Sequence, residues 1–116
     1  MKRILVVDDS IVSRKMLRKL FESEGHEVFD AVNGKDGFEQ YVKLSPDVVT
    51  MDITMPEMNG IESLRLIKER DPNAKVILIT AAGQLEKKAE ADSLGAVCYL
   101  TKPYDNKEIL AAINNC

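Results

Sequence analysis

The chain is predicted to be an α/β protein, a doubly wound (βα)5 three-layer sandwich built on a parallel sheet of order 2-1-3-4-5. Three observations predict it. Short, continuously apolar, β-branched runs recur along the sequence, amphipathic segments of helical period lie between them, and turn or cap residues mark the junctions.

Ile4-Leu5-Val6-Val7 is apolar at every position, so a strand there is buried on both faces, as in parallel sheets covered by helices. Met16, Leu17, Leu20 and Phe21 then recur at helical spacing, with Arg14, Lys15, Arg18 and Lys19 turned elsewhere, and Gly25 ends that helix. Glu27-Val28-Phe29 is a weaker strand. Gly37, Phe38, Tyr41 and Val42 make a second helical face that stops at Ser45-Pro46. Asp47-Val48-Val49-Thr50-Met51 is the third strand, and Ile61, Leu64 and Ile67 mark a helix ended by Asp71-Pro72. Lys75-Val76-Ile77-Leu78-Ile79 follows, then a helix from about Leu85 to Leu94 closed by Gly95. Ala96-Val97-Cys98-Tyr99-Leu100 is the last strand, and Ile109, Leu110 and Ile113 belong to the last helix. Right-handed crossovers put helices on both faces of such a sheet. Of the two common doubly wound orders, the flavodoxin-like 2-1-3-4-5 fits five strands, and ligands then bind at the carboxyl ends of the central strands.

The size of the chain, 116 residues, predicts one domain over 1–116 with no output domain attached. Sixteen basic against nineteen acidic side chains give a net charge of −3, so no positive field for nucleic acid is expected. No apolar run approaches the ~20 residues of a membrane span. The basic start Met1-Lys2-Arg3 is followed only by Ile4 to Val7 before Asp8 and Asp9, too short for a signal-peptide core, and a cytoplasmic location is expected. Cys98 reads as a small core residue and Cys116 as a frayed terminus. With these and His26 no zinc site or disulfide framework is expected, so metal chemistry would rest on oxygen ligands.

Asp8 and Asp9 follow strand one, Asp52 ends strand three, Thr80 ends strand four and Lys102 follows strand five by two residues. In a 2-1-3-4-5 sheet these positions converge on one rim. A helix N-cap explains one aspartate, but two in a row beside a third repel one another unless a cation offsets them. Oxygen-only ligands favour Mg²⁺, which leaves coordination positions open for a phosphate oxygen. Beside such a cluster Lys102 is a point charge for a phosphoryl group, and a cis bond before Pro103 would aim it inward. Thr80, followed by the small residues Ala81-Ala82-Gly83, has space to donate its hydroxyl to a ligand oxygen.

Asp8-Asp9-Ser10, the run Met51-Asp52-Ile53-Thr54-Met55-Pro56-Glu57-Met58-Asn59-Gly60, Thr80-Ala81 and Lys102-Pro103 occur in order, and the chain resembles the receiver domain of bacterial two-component response regulators. The resemblance implies that Asp52 is the phosphoacceptor for a histidine kinase. It implies that Asp8, Asp9, Asp52 and the Thr54 backbone carbonyl hold Mg²⁺ (Mn²⁺ being a substitute), and that Lys102, Thr80 and Ala81 bind the phosphoryl group. Thr80 and Tyr99 would form the switch, with the surface of helix four, strand five and helix five changing on phosphorylation. Within the family the chain looks most like single-domain chemotaxis regulators of the CheY type. Histidine kinase, a downstream protein such as the flagellar motor switch, and a phosphatase are the implied partners of a monomer. It would catalyse its own phosphorylation and dephosphorylation and no other reaction.

Three other readings compete. One is a phosphorelay intermediate, another a receiver excised from a DNA-binding regulator. The third is a Mg²⁺-dependent phosphatase working through an aspartyl-phosphate. Such phosphatases carry Asp-x-Asp at the nucleophile, whereas Asp52-Ile53-Thr54 places threonine where their proton shuttle stands.

Overall fold

The computed structural model of the chain describes residues 1–53, 55, 58–80 and 85–115. Strands and helices alternate as β1 (Arg3–Val7), α1 (Ile11–Ser23), β2 (Glu27–Ala31), α2 (Gly34–Leu44), β3 (Val48–Asp52), α3 (Gly60–Arg70), β4 (Val76–Thr80), α4 (Leu85–Ser93), β5 (Cys98–Thr101) and α5 (Asn106–Asn114). The strands form one parallel sheet in the expected order β2-β1-β3-β4-β5.

Period-two alternation divides the core between the two faces of the sheet. Ile4, Val6, Val48, Ile77 and Ile79 pack against Leu17 and Phe21 of α1 and Ile109 and Ile113 of α5. Leu5, Val7, Val49, Met51, Val76 and Leu78 pack against Tyr41 of α2, Leu64 and Ile67 of α3, and Ala91 of α4. The central strands are therefore buried along almost their whole length, while β5, at the sheet edge, is half-exposed.

Local chemistry sets the element ends. Ser10, Asn33, Asn59 and Asp105 cap helices by accepting a backbone N–H three residues on, and Asp105 with Glu108 completes a capping box. Gly25 and Gly95 take left-handed conformations (φ 85° and 94°) after α1 and α4, where a side chain would be strained.

Three details differ from the sequence reading. Met16, expected on the buried face of α1, is 67% exposed, because Leu17 and Phe21 form the stripe that meets the sheet. Arg14, expected to face away, is turned inward. Strand β5 begins at Cys98 rather than Ala96; Val97 donates its N–H to Val76 at 3.0 Å, but its side chain is largely exposed.

Candidate functional site

The sheet's register places the site. Val6 pairs with Thr50, and the alternation carried two residues on sets Asp8 beside Asp52 on the α1/α5 face. The ladders continue past the strands: Asp8 donates its N–H to Ala31 O at 3.1 Å, and Ile53 donates to Ile79 O at 3.1 Å. Lys102 likewise donates its backbone N–H to Thr80 O at 2.7 Å, which holds the lysine at the rim beside β4. Its peptide bond to Pro103 is cis.

Asp8, Asp9 and Asp52 converge as expected, each offering a carboxylate oxygen within 4.8 Å of the others. Lys102 Nζ lies 3.9 Å from Asp52 Oδ1, a separation at which charge rather than a hydrogen bond connects them. Asp8 is buried and Asp9 exposed, so the cluster opens outward through Asp9. Burial pushes the Asp52 carboxyl up to about 6, with Asp8 and Asp9 adding to the rise and Lys102 opposing it. The Asp8 carboxyl is also raised, chiefly by burial, against the opposing effect of the Ser10 N–H it accepts at 2.8 Å. Three crowded carboxylates facing one ammonium make a strongly negative, oxygen-only corner, a donor set that fits a hard divalent cation and not a soft one.

The loop after Asp52 is held from behind. Gly60 donates its N–H to Ile53 O at 2.8 Å, and a Cβ at Gly60 would run into the Asp52 carbonyl. Gly34 donates to Met58 O at 3.0 Å and would collide with that oxygen if it bore a side chain, while Ser63 Oγ donates to Gly34 O at 2.8 Å. Glycines at 34 and 60 thus let α2 and α3 close on the segment that carries the acid. Gly60 closes the motif that begins at Met51, and this contact is the physical reason for a glycine there.

Thr80 ends β4 at this same rim, beside Lys102, but its side chain and that of Tyr99 leave the sheet from its other face. Leu78 pairs with Tyr99, so Thr80 and Tyr99 belong to the α3/α4 face of the sheet, opposite the face that carries Asp52. Thr80 is buried and Tyr99 half-buried against the α2–α4 core. Thr54 and Ala81 lie outside the described residues.

Two neighbours escaped the sequence reading. Tyr104, packed against the α1/α5 core, has its phenol raised by burial and by the nearby Asp8 and Asp52 charges. Arg14 donates from Nη1 to the Asp8 backbone carbonyl at 2.7 Å. Neither contact has a motif; a clue for Tyr104 is its place two residues after Lys102.

Fold and site together define a doubly wound domain with an acidic, cation-fitting rim at the carboxyl end of its sheet. Residues 4–114 match the family model for the response regulator receiver domain, and the chain belongs to that family. It is 45% identical over 114 residues to the chemotaxis protein CheY of Thermotoga maritima, covering 97% of this chain and 95% of that protein. It is 39% identical over 112 residues to sporulation initiation phosphotransferase F of Bacillus subtilis, covering 97% and 90%. The crystal structure of the CheX–CheY–BeF3–Mg²⁺ complex from Borrelia burgdorferi is similar with a TM-score of 0.92 and 37% identity, covering 97% of this chain and 87% of that one. No helix among the described residues is long and apolar enough to cross a membrane.

Proposed function

We propose that the chain is a phosphorylation-activated regulator of the CheY type, which accepts a phosphoryl group from a histidine kinase onto Asp52 and signals to the flagellar motor switch. The observation that carries this reading is the convergence of Asp8, Asp9 and Asp52 with Lys102 at 3.9 Å from Asp52. An ionised Asp52 oxygen attacks the phosphorus of a phosphohistidine; the new O–P bond forms as the P–N bond breaks, and the electron pair stays on the imidazole nitrogen, which takes a proton from solvent. Asp52 is mainly ionised at neutral pH with its carboxyl at about 6, and Lys102 favours the charged form. Lys102 then pairs with the phosphoryl oxygens.

Asp8, Asp9, Asp52 and the Thr54 carbonyl would hold Mg²⁺, with Mn²⁺ as a substitute. The ion would neutralise charge on the transferring group. A CheY protein crystallised with Mg²⁺ and BeF3 supports this assignment. Thr80 and Ala81 would contact the phosphoryl oxygens. As the Thr80 hydroxyl moves toward them, Tyr99 turns into the space it leaves, which alters the face made by α4, β5 and α5. Phosphate biases that change only through contacts that differ between the two states. The chain acts in the cytoplasm, catalyses only its own phosphorylation and dephosphorylation, and has a phosphatase as a further partner.

Transfer from a radiolabelled chemotaxis kinase tests the reading. The label should move to the chain, not to Asp52→Asn, and the labelled form should bind a motor-switch segment. Onward transfer of the label to a histidine phosphotransfer domain without switch binding would favour a relay role, which the similarity to the sporulation phosphotransferase keeps in view.

A further inference from the structure

Arg14 is as little exposed as Asp52, each side chain at 12%, yet its ion pair with Asp30 of β2 is long, Nε to Oδ2 at 3.7 Å. Burying a guanidinium for so loose a pair does little for stability. Its short bond goes instead to the Asp8 backbone carbonyl, from Nη1 at 2.7 Å. Asp30 is held in turn by Arg18, whose Nη2 donates to Oδ1 at 2.8 Å.

Each polar group of Asp8 is consequently tied down. Its N–H donates to Ala31 O at 3.1 Å, its carbonyl accepts from Arg14, and its carboxylate accepts the Ser10 N–H at 2.8 Å. Asp8 is therefore tied to β2 directly through its N–H and to α1 through Arg14, whose guanidinium faces Asp30 of β2 by charge alone. The clamp fixes the direction in which the chain leaves β1, and with it the placement of the Asp8 and Asp9 carboxylates.

We propose that Arg14 is a positioning residue for the metal corner: by holding the Asp8 carbonyl from α1, it preorganises Asp8 and Asp9 to share one divalent cation. The inference rests on the reading of this corner as a Mg²⁺ site. Partners outside the ligand set that orient ligands commonly matter at such sites.

The sign of the effect separates positioning from simple charge. Arg14→Met removes a positive charge beside Asp8, so charge alone predicts tighter Mg²⁺ binding. Positioning predicts weaker binding, by about tenfold. Arg14→Lys keeps the charge but loses the guanidinium N–H aimed at the Asp8 carbonyl, so charge alone predicts no change and positioning again predicts a loss.

Isothermal titration of the unphosphorylated protein with MgCl2, alongside urea unfolding of each variant, reads this without any phosphotransfer. Weaker binding in both variants, with unfolding midpoints near that of the unaltered protein, supports the clamp. Binding as tight as or tighter than the unaltered protein in either folded variant overturns it. If Arg14→Met does not fold, Arg14→Lys decides. If the unaltered protein does not bind Mg²⁺, the metal reading fails and the inference falls with it.

Discussion

Replacing Asp52 with asparagine should stabilise the metal-free protein at neutral pH, because the native fold strains the charged form of that carboxyl. Its value moves from 3.8 to about 6, so the folded state holds the proton more tightly than the unfolded chain does. Between those values the native protein binds more protons, and stability falls as pH rises. Above both, a shift of about 2 units at 1.36 kcal/mol per unit amounts to roughly 3 kcal/mol of lost stability. Asparagine carries no such penalty. In urea unfolding with a chelator present, the advantage of Asp52→Asn over the unaltered protein should grow by about 2 kcal/mol between about pH 4.5 and about pH 7.5. Added Mg²⁺ should then stabilise the unaltered protein more than the variant, since a ligand stabilises the state that binds it. An advantage that does not change with pH, or a variant less stable at neutral pH, would refute the claim that carboxylate crowding and burial strain this corner.

Other perturbations test the supports of the site. Gly60→Ala drives a Cβ into the Asp52 carbonyl and should cost about 1–3 kcal/mol in urea unfolding while slowing phosphorylation; an unaffected rate would mean the loop yields without moving Asp52. Thr50 Oγ1 is buried with no hydrogen-bond partner among the described residues, so Thr50→Val should raise stability by about 1 kcal/mol, and a loss would reveal a partner for the hydroxyl. Tyr99→Ala should leave phosphorylation largely intact yet weaken binding of the downstream partner by roughly tenfold, about 1–2 kcal/mol. Lost phosphorylation with unaltered binding would remove Tyr99 from the switch.

The convergence of Asp8, Asp52 and Lys102 was legible because strand ends in a doubly wound sheet share a rim, and the apolar runs of β1, β3 and β4 mark where each strand ends. Parity added what periodicity alone does not: Asp52 lies on the α1/α5 face, and Thr80 with Tyr99 on the other. Arg14 was not legible, since a helical arginine among lysines reads as a solvated face and a bond to a backbone carbonyl leaves no trace in residue type. Met16 misled for a related reason: the apolar spacing on α1 is wider than the stripe that the sheet covers. Tyr104 belongs to no motif, and only its burial near Asp8 and Asp52 reveals it.

Intact mass after incubation with acetyl phosphate, with and without Mg²⁺, for the unaltered protein and Asp52→Asn, decides whether Asp52 is a Mg²⁺-dependent phosphoacceptor. One added phosphoryl group that requires both Mg²⁺ and Asp52 is the expected result. An equal adduct on Asp52→Asn, or neither adduct nor released phosphate from the unaltered protein with Mg²⁺, would contradict it.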